Sequence, residues 1–183
     1  MAPLIATVCT ANPHKVAELA ALLPGWELDL LDVDFPPEDG ETYLANARIK
    51  ARHGRAVGPA SRWMLADDSG LELAALDGAP GVLTARWAAG RHVEQALPAV
   101  AGADRGARYV CELVALSPEG REVLGTGVLE GTIAAEPAGS EGFGFDPVFV
   151  PLGETKTVAE LGDAWKTQHS HRALAAQALL ARV

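Results

Sequence analysis

Within its first 25 residues the chain commits to a strand, a tight turn and a helix, which restricts the folds open to the rest. Residues 4–10 (LIATVCT) form an apolar run with the profile of a buried strand. Asn12-Pro13 follows; Asn is a strong helix cap and Pro is favoured at a first helical position. Val16, Leu19, Ala20 and Leu23 then recur at helical spacing until Pro24-Gly25 stops the run.

The remaining elements extend this pattern without repeating it regularly. Residues 26–33 read as a short strand, followed by an acidic, proline-containing loop. Thr42 caps an expected helix over 43–53, with Leu44, Ala47 and Ala51 as its apolar stripe, Arg48, Lys50 and Arg52 facing elsewhere and Gly54 ending it. Residues 62–66 read as a strand that runs into Asp67-Asp68-Ser69-Gly70, and a second short apolar run covers 71–76. A short helix is expected near 92–101. Strands at 108–116 and 121–133 join through Ser117-Pro118-Glu119-Gly120 as a hairpin. A glycine-rich loop over 139–147 precedes a short strand at 148–150, and a final helix over 170–183 starts at Ser170. The sum is a mixed α/β protein with an antiparallel or mixed sheet and a second lobe, not the steady alternation of a doubly wound fold. No linker or internal repeat divides residues 1–183, so a single domain is expected.

Composition narrows the function. The 183 residues carry a net charge of −9, which argues against a dedicated nucleic-acid binder but leaves room for a small anion in a local pocket. No stretch approaches about 18 continuous apolar residues, so no membrane span is expected. The start lacks a basic n-region and reads as mature protein. Cys9 and Cys111 lie in strand-like runs and read as reduced core thiols of a cytoplasmic protein.

Five polar clusters sit at segment ends. Thr10, Asn12, His14 and Lys15 surround a helix start, which suits a phosphate because free backbone N–H groups and a lysine converge there; an ordinary cap with a solvated lysine has the same sequence. Glu38 with Asp39 and Glu41, and Asp67-Asp68 with Ser69, are acidic groups that Mg²⁺ would neutralise or that water would solvate. Phe143 and Phe145 flank a glycine ahead of Asp146, an arrangement for stacking on a base or for a tight turn into the core. Lys166 and the Ser170-His171-Arg172 helix start offer donors to a nucleotide, or a surface helix end. Together they point to an Mg²⁺-dependent enzyme acting on a nucleotide polyphosphate.

These stretches, in order, resemble the non-canonical purine nucleoside triphosphate pyrophosphatases, the inosine triphosphatase family: TANPHKVAEL, EDGETYLANARIKA, LADDSGLELAALDGAPGVLTARWA, GSEGFGFDPVFV, KTVAEL and WKTQHSHR. The resemblance implies an elongated mixed α/β fold with two lobes around a nucleotide-binding cleft, a cytoplasmic homodimer, and hydrolysis of ITP, dITP and XTP to the monophosphate and pyrophosphate. It implies Thr10, Asn12 and Lys15 as the phosphate loop, with His14 inside it. Glu38, Asp68 and Asp67 correspond to the metal site, with Asp68 as base and Ser69 at the substrate. Phe143, Phe145 and Asp146 correspond to the base-binding loop, and Lys166, His171 and Arg172 to further nucleotide contacts. A donor such as Arg172 or His171 aimed at the oxygen on C6 would favour hypoxanthine and xanthine over adenine.

Three features depart from the family pattern. Ala11 and His14 replace glycines of the first loop. Ala45 stands where a glutamate usually precedes Asn-Ala, and Glu41 would replace that carboxylate if the helix included it. Residues 87–107 are short. The altered first loop and Ala45 motivate one alternative, a same-fold pyrophosphatase with shifted or broader substrates; a non-catalytic nucleotide-binding protein is a remote one, against which the retention of Lys15, Glu38, Asp67 and Asp68 argues.

Overall fold

Strand alternation organises the first half of the molecule. The structure is a computed structural model in which residues 3–183 are described, the side chains of Pro13 and His14 excepted; the expectation for His14 therefore lies outside the described residues. β1 (Leu4–Val8) runs parallel to β2 (Trp26–Leu30) on one side and to β3 (Trp63–Leu73) on the other. With β4 (Gly106–Leu116), β5 (Glu122–Ile133) and β6 (Phe149–Pro151) they make one mixed sheet of order β2-β1-β3-β4-β5-β6, in which β5 and β6 are antiparallel. Helices α1 (Pro13–Leu22), α2 (Tyr43–Val57), α3 (Thr84–Ala88), α4 (His92–Ala99), α5 (Val158–His169) and α6 (His171–Leu180) complete the chain.

The chain forms two compact units whose segments interleave. The first comprises residues 1–68, 111–127 and 172–183, and the second residues 69–110 and 128–171. β3, β4 and β5 each pass from one unit into the other. No contiguous stretch forms a unit, which is why the sequence shows no linker.

In the first unit the sheet is covered on both faces. Ala6, Val8, Leu65, Cys111, Leu113 and Ala115 pack with Leu19 and Leu22 of α1, Leu23 just after it, and α6 residues Ala173, Ala176 and Leu179. Cys9, Met64, Ala66 and Val114, of opposite parity along their strands, pack with Ala47 and Ala51 of α2. Both cysteines are buried, and burial pushes each thiol up to about 12. The second unit has its own core of Leu71, Leu73, Tyr109, Ile133, Phe145 and Phe149, joined by Ala88 of α3 and Ala96 of α4, so the short 87–107 segment supplies core residues.

Four expectations need correction. The strand expected at 62–66 continues through 71–73 as β3, with Ala74–Leu76 forming a 3-10 turn after it, so Asp67 and Asp68 lie mid-strand and not in a turn. α2 runs through Gly54 to Val57. Gly54 is buried, and a Cβ there would enter the van der Waals envelope of the Cys9 sulfur, so this glycine serves close packing and not helix termination. Lys50, expected on the solvent side of α2, is only 4% exposed. The motifs at 156–161 and 165–172, read without assigned structure before Ser170, contribute to α5, which starts with a capping box between Thr157 and Glu160 and is broken at Gly162, whose φ is +84°. Among the described residues no helix is long and apolar enough to cross a membrane.

The Gly54 contact predicts that G54A is destabilised by about 2 kcal/mol through overpacking. C9A in the same chain should recover most of that loss, as read by urea unfolding of the two single variants and the double variant.

Candidate active site

The two adjacent aspartates of β3 point to opposite faces of the sheet, as successive strand residues must. Asp67 shares its parity with Leu65 and faces the α1/α6 layer. Lys15, in the first turn of α1, donates to both its oxygens, at 3.0 Å to Oδ1 and 2.9 Å to Oδ2. Arg172, near the start of α6, donates to Oδ2 from Nε at 3.3 Å and from Nη2 at 3.2 Å. Burial pushes the Asp67 carboxyl up, but the two cations outweigh it and hold the group well below the usual carboxylate range. Asp67 is an ionised anchor for two cations.

Asp68 faces the α2 layer and has a different environment. Its Oδ2 accepts a hydrogen bond from Asn46 Nδ2 at 3.0 Å. Asn46 is itself oriented by the Gly40 N–H, which donates to its Oδ1 at 2.8 Å. Burial pushes the Asp68 carboxyl above its ordinary value; Lys50 and the Asn46 bond oppose the shift, and the negative charge of Glu38 adds to it. Lys50 Nζ lies 3.1 Å from Glu38 Oε2. One buried ammonium thus serves two acids, Glu38 on the loop and Asp68 on β3.

Asn46 and Lys50 were not among the residues singled out in the sequence. The signal was present: Tyr43, Asn46, Ala47, Lys50, Ala51 and Gly54 form the buried stripe of α2, and two of its members are polar. Glu41 precedes the Thr42 cap and is exposed, so the helix does not carry it onto the Asn46 face. In the phosphate-loop candidate, the Asn12 N–H donates to the buried Thr10 Oγ1 at 3.1 Å and the Lys15 N–H to the Asn12 carbonyl at 3.1 Å. Arg172, offered by the sequence as a donor to a base, is 2% exposed and directs its guanidinium at Asp67 and at Glu18, 2.7 Å away.

The second unit carries the remaining candidates. Phe143 and Phe145 separate: Phe143 is 58% exposed, whereas Phe145 is buried against His92 and Trp87 at centroid distances of 4.8 and 6.2 Å. Phe145 therefore anchors the loop and Phe143 presents its ring. Asp146 Oδ2 closes the loop by accepting from the Phe143 N–H at 2.8 Å and from Lys166 Nζ at 2.8 Å. Gly142 is obligatory in this turn, since its φ is +76° and a Cβ would collide with Asp146 Oδ2. The Lys166 ammonium also lies 4.3 Å from the Phe143 ring centroid. His171 stacks flat on Tyr109, centroids 4.6 Å apart and planes 8° apart. Ser69, partly buried, opens this unit on β3.

The Ham1 family model matches residues 6–182. The chain belongs to the Ham1 family. Its relatives include a dITP/XTP pyrophosphatase from Bdellovibrio bacteriovorus, 39% identical over 96% of both chains, and one from Caulobacter vibrioides, 42% identical over 91% of both. Among solved structures, a HAM1 protein from Coxiella burnetii aligns with a TM-score of 0.82 at 35% identity, over 95% of both chains. The Staphylococcus aureus Ham1 protein aligns with a TM-score of 0.83 at 31% identity, over 97% of this chain and 96% of that one. The mixed six-stranded sheet with flanking helices is thus a Ham1 fold.

The donor set is selective about the metal it suits. Among the described residues no group of three or more His, Cys, Asp and Glu side chains gathers. Asp67 is engaged by two cations, which leaves Glu38 and Asp68 as carboxylates sharing one neighbouring charge. Two hard oxygen donors fit Mg²⁺, which binds through one or two carboxylates together with substrate phosphates.

Asp67 makes the fold acid-sensitive. Because its carboxyl is held below its ordinary value, its stabilisation is complete above about pH 4 and disappears as pH falls toward the folded-state value. D67N should cost about 3 kcal/mol at pH 7, since it strands two cations. The gap between wild type and variant should narrow below pH 4, as read by urea unfolding at pH 7 and pH 3.

Proposed function

We propose that this chain is an Mg²⁺-dependent pyrophosphatase that hydrolyses dITP, ITP and XTP to the nucleoside monophosphate and pyrophosphate. Family membership and relatives named dITP/XTP pyrophosphatase support the reaction class. The observation that carries the reading is the contrast between the two adjacent aspartates: a carboxylate pinned by cations at Asp67, and a carboxyl of raised pKa bearing a neutral hydrogen bond at Asp68. A hydrolase acting by water attack needs both, one to hold cations for phosphate and one to take a proton.

In this reading water attacks the α-phosphorus. The bond from that phosphorus to the bridging oxygen breaks, the bond to the water oxygen forms, and pyrophosphate leaves. Asp68 accepts the proton lost by the water, and its raised pKa makes it a better base than an unperturbed carboxylate. Asn46 fixes the orientation of that carboxylate, and Lys50 keeps its ionised form accessible. Lys15, with Thr10 and Asn12 around the α1 start, offsets phosphate charge. Glu38 and Asp68 would hold Mg²⁺, which when bound polarises phosphate oxygens. Base recognition falls to the second unit: Phe143 offers a stacking face, while Asp146, Lys166 and His171 supply polar contacts, with Ser69 near the sugar or phosphate.

The test is product analysis with dITP, XTP, GTP, ATP and dUTP in the presence of Mg²⁺. Monophosphate and pyrophosphate from dITP and XTP, with little from ATP, is the expected outcome. Orthophosphate and a diphosphate would overturn the site of attack, and faster turnover of another triphosphate would move the substrate range. D68N should lose about 10²- to 10⁴-fold in kcat, the usual contribution of a general base.

The raised Asp68 carboxyl also predicts a pH profile. Activity should fall on the acid side as Asp68 becomes protonated, because the protonated carboxyl can neither accept a proton nor hold the cation. N46A removes a bond to the charged form and should move that limb to higher pH than in wild type, as read from complete pH–rate profiles of the two proteins.

A further inference from the structure

Lys15 and Glu18 lie three residues apart on α1, a spacing that places opposite charges on one face where they commonly pair with each other. Here each reaches across to a different element. Lys15 goes to Asp67 on β3, 52 residues away, and Glu18 to Arg172 on α6, 154 residues away. Arg172 and Asp67 then bond to each other at 3.2 Å. The result is a continuous line, Glu18–Arg172–Asp67–Lys15, of two anions and two cations with no net charge.

The line is graded in exposure. The side chains of Asp67 and Arg172 are 0% and 3% exposed, whereas Lys15 is 19% exposed. A neutral quartet allows ions so deeply buried to persist, and its one cation with ready access to solvent is the lysine of the phosphate loop. The lengths show how the bonds are shared. Arg172 holds Glu18 at 2.7 Å and Asp67 at 3.2 and 3.3 Å, while Lys15 holds Asp67 at 2.9 and 3.0 Å. Arg172 makes its shortest bond to Glu18 and only longer ones to Asp67 Oδ2, so Lys15 makes the shorter contact to each Asp67 oxygen and has Oδ1 without competition from Arg172.

We propose that Glu18 is a positioning residue for phosphate binding: acting through Arg172 and Asp67, it sets where the Lys15 ammonium stands. Without the Glu18 charge, the guanidinium closes onto Asp67 and competes with Lys15 for its oxygens. Lys15 is then held less firmly, and the α1 start loses its fixed cation. This rests on the phosphate role given to Lys15 above.

The test is a double-mutant cycle of wild type, E18Q, K15M and E18Q/K15M, read by dITP kinetics and by calorimetric binding of inorganic tripolyphosphate, with urea unfolding of each. E18Q should lose about tenfold in tripolyphosphate affinity and in kcat/KM, mainly through KM, while in the K15M background it should change either by less than about twofold. An equal loss in both backgrounds, or an E18Q within twofold of wild type, overturns the proposal. If E18Q is not folded, R172K, which keeps the charge but loses the fork that reaches both acids, takes its place in the cycle under the same criteria. Failure of the two readings is distinguishable. Wild type that leaves dITP intact but binds tripolyphosphate with Glu18–Lys15 coupling removes the pyrophosphatase reading and keeps this one. Turnover of dITP without coupling does the reverse.

Discussion

Two consecutive carboxylates in one buried strand must leave by opposite faces of the sheet, and most of the chemistry of this protein follows from that. A mid-strand ionised acid is costly unless its own face supplies compensation. The α1/α6 layer supplies two full positive charges to Asp67, and the α2 layer supplies an amide and one shared ammonium to Asp68. The same side chain, one residue on, therefore acquires the opposite pKa shift. One carboxylate becomes an anchor and the other a base.

The helices are as constrained as the acids. The buried face of α2 carries Asn46 and Lys50 among its alanines because the strand opposite it presents Asp68, mid-strand, and not another aliphatic residue. α1 must present Lys15 and Glu18 in register with Asp67 and Arg172, so the loop that starts α1 is held by charge as well as by Leu19 and Leu23 in the core. In the second unit the equivalent constraint is aromatic. Phe145 is locked among Trp87, His92 and Tyr109, which leaves Phe143 displayed on a turn clamped by Asp146.

Local signals in the sequence were readable wherever a single turn or cap decided the outcome. Asn12-Pro13 places the start of α1, and Thr42, which accepts from the Ala45 N–H, places the start of α2. Signals that needed a partner elsewhere were misread or missed. Gly54 looks like a helix stop until Cys9 is known to lie against it. The start of α5 is the exception among local signals: the capping box of Thr157 and Glu160 is legible in the sequence and needs no distant partner.

The sequence by itself determined the α/β class, the family, and the set of polar residues worth considering, because apolar periodicity, caps and motif order are properties of neighbouring residues. The tertiary structure alone decided which of those residues share a job. Arg172 meets Asp67 across 105 residues and Glu18 across 154, and Asn46 meets Asp68 across 22. Burial of Lys50, the division of labour between Asp67 and Asp68, and the parting of Phe143 from Phe145 are set by what packs on each face. Desolvation and Coulomb interaction depend on distance in space, and chain spacing reports that distance only over a turn or two.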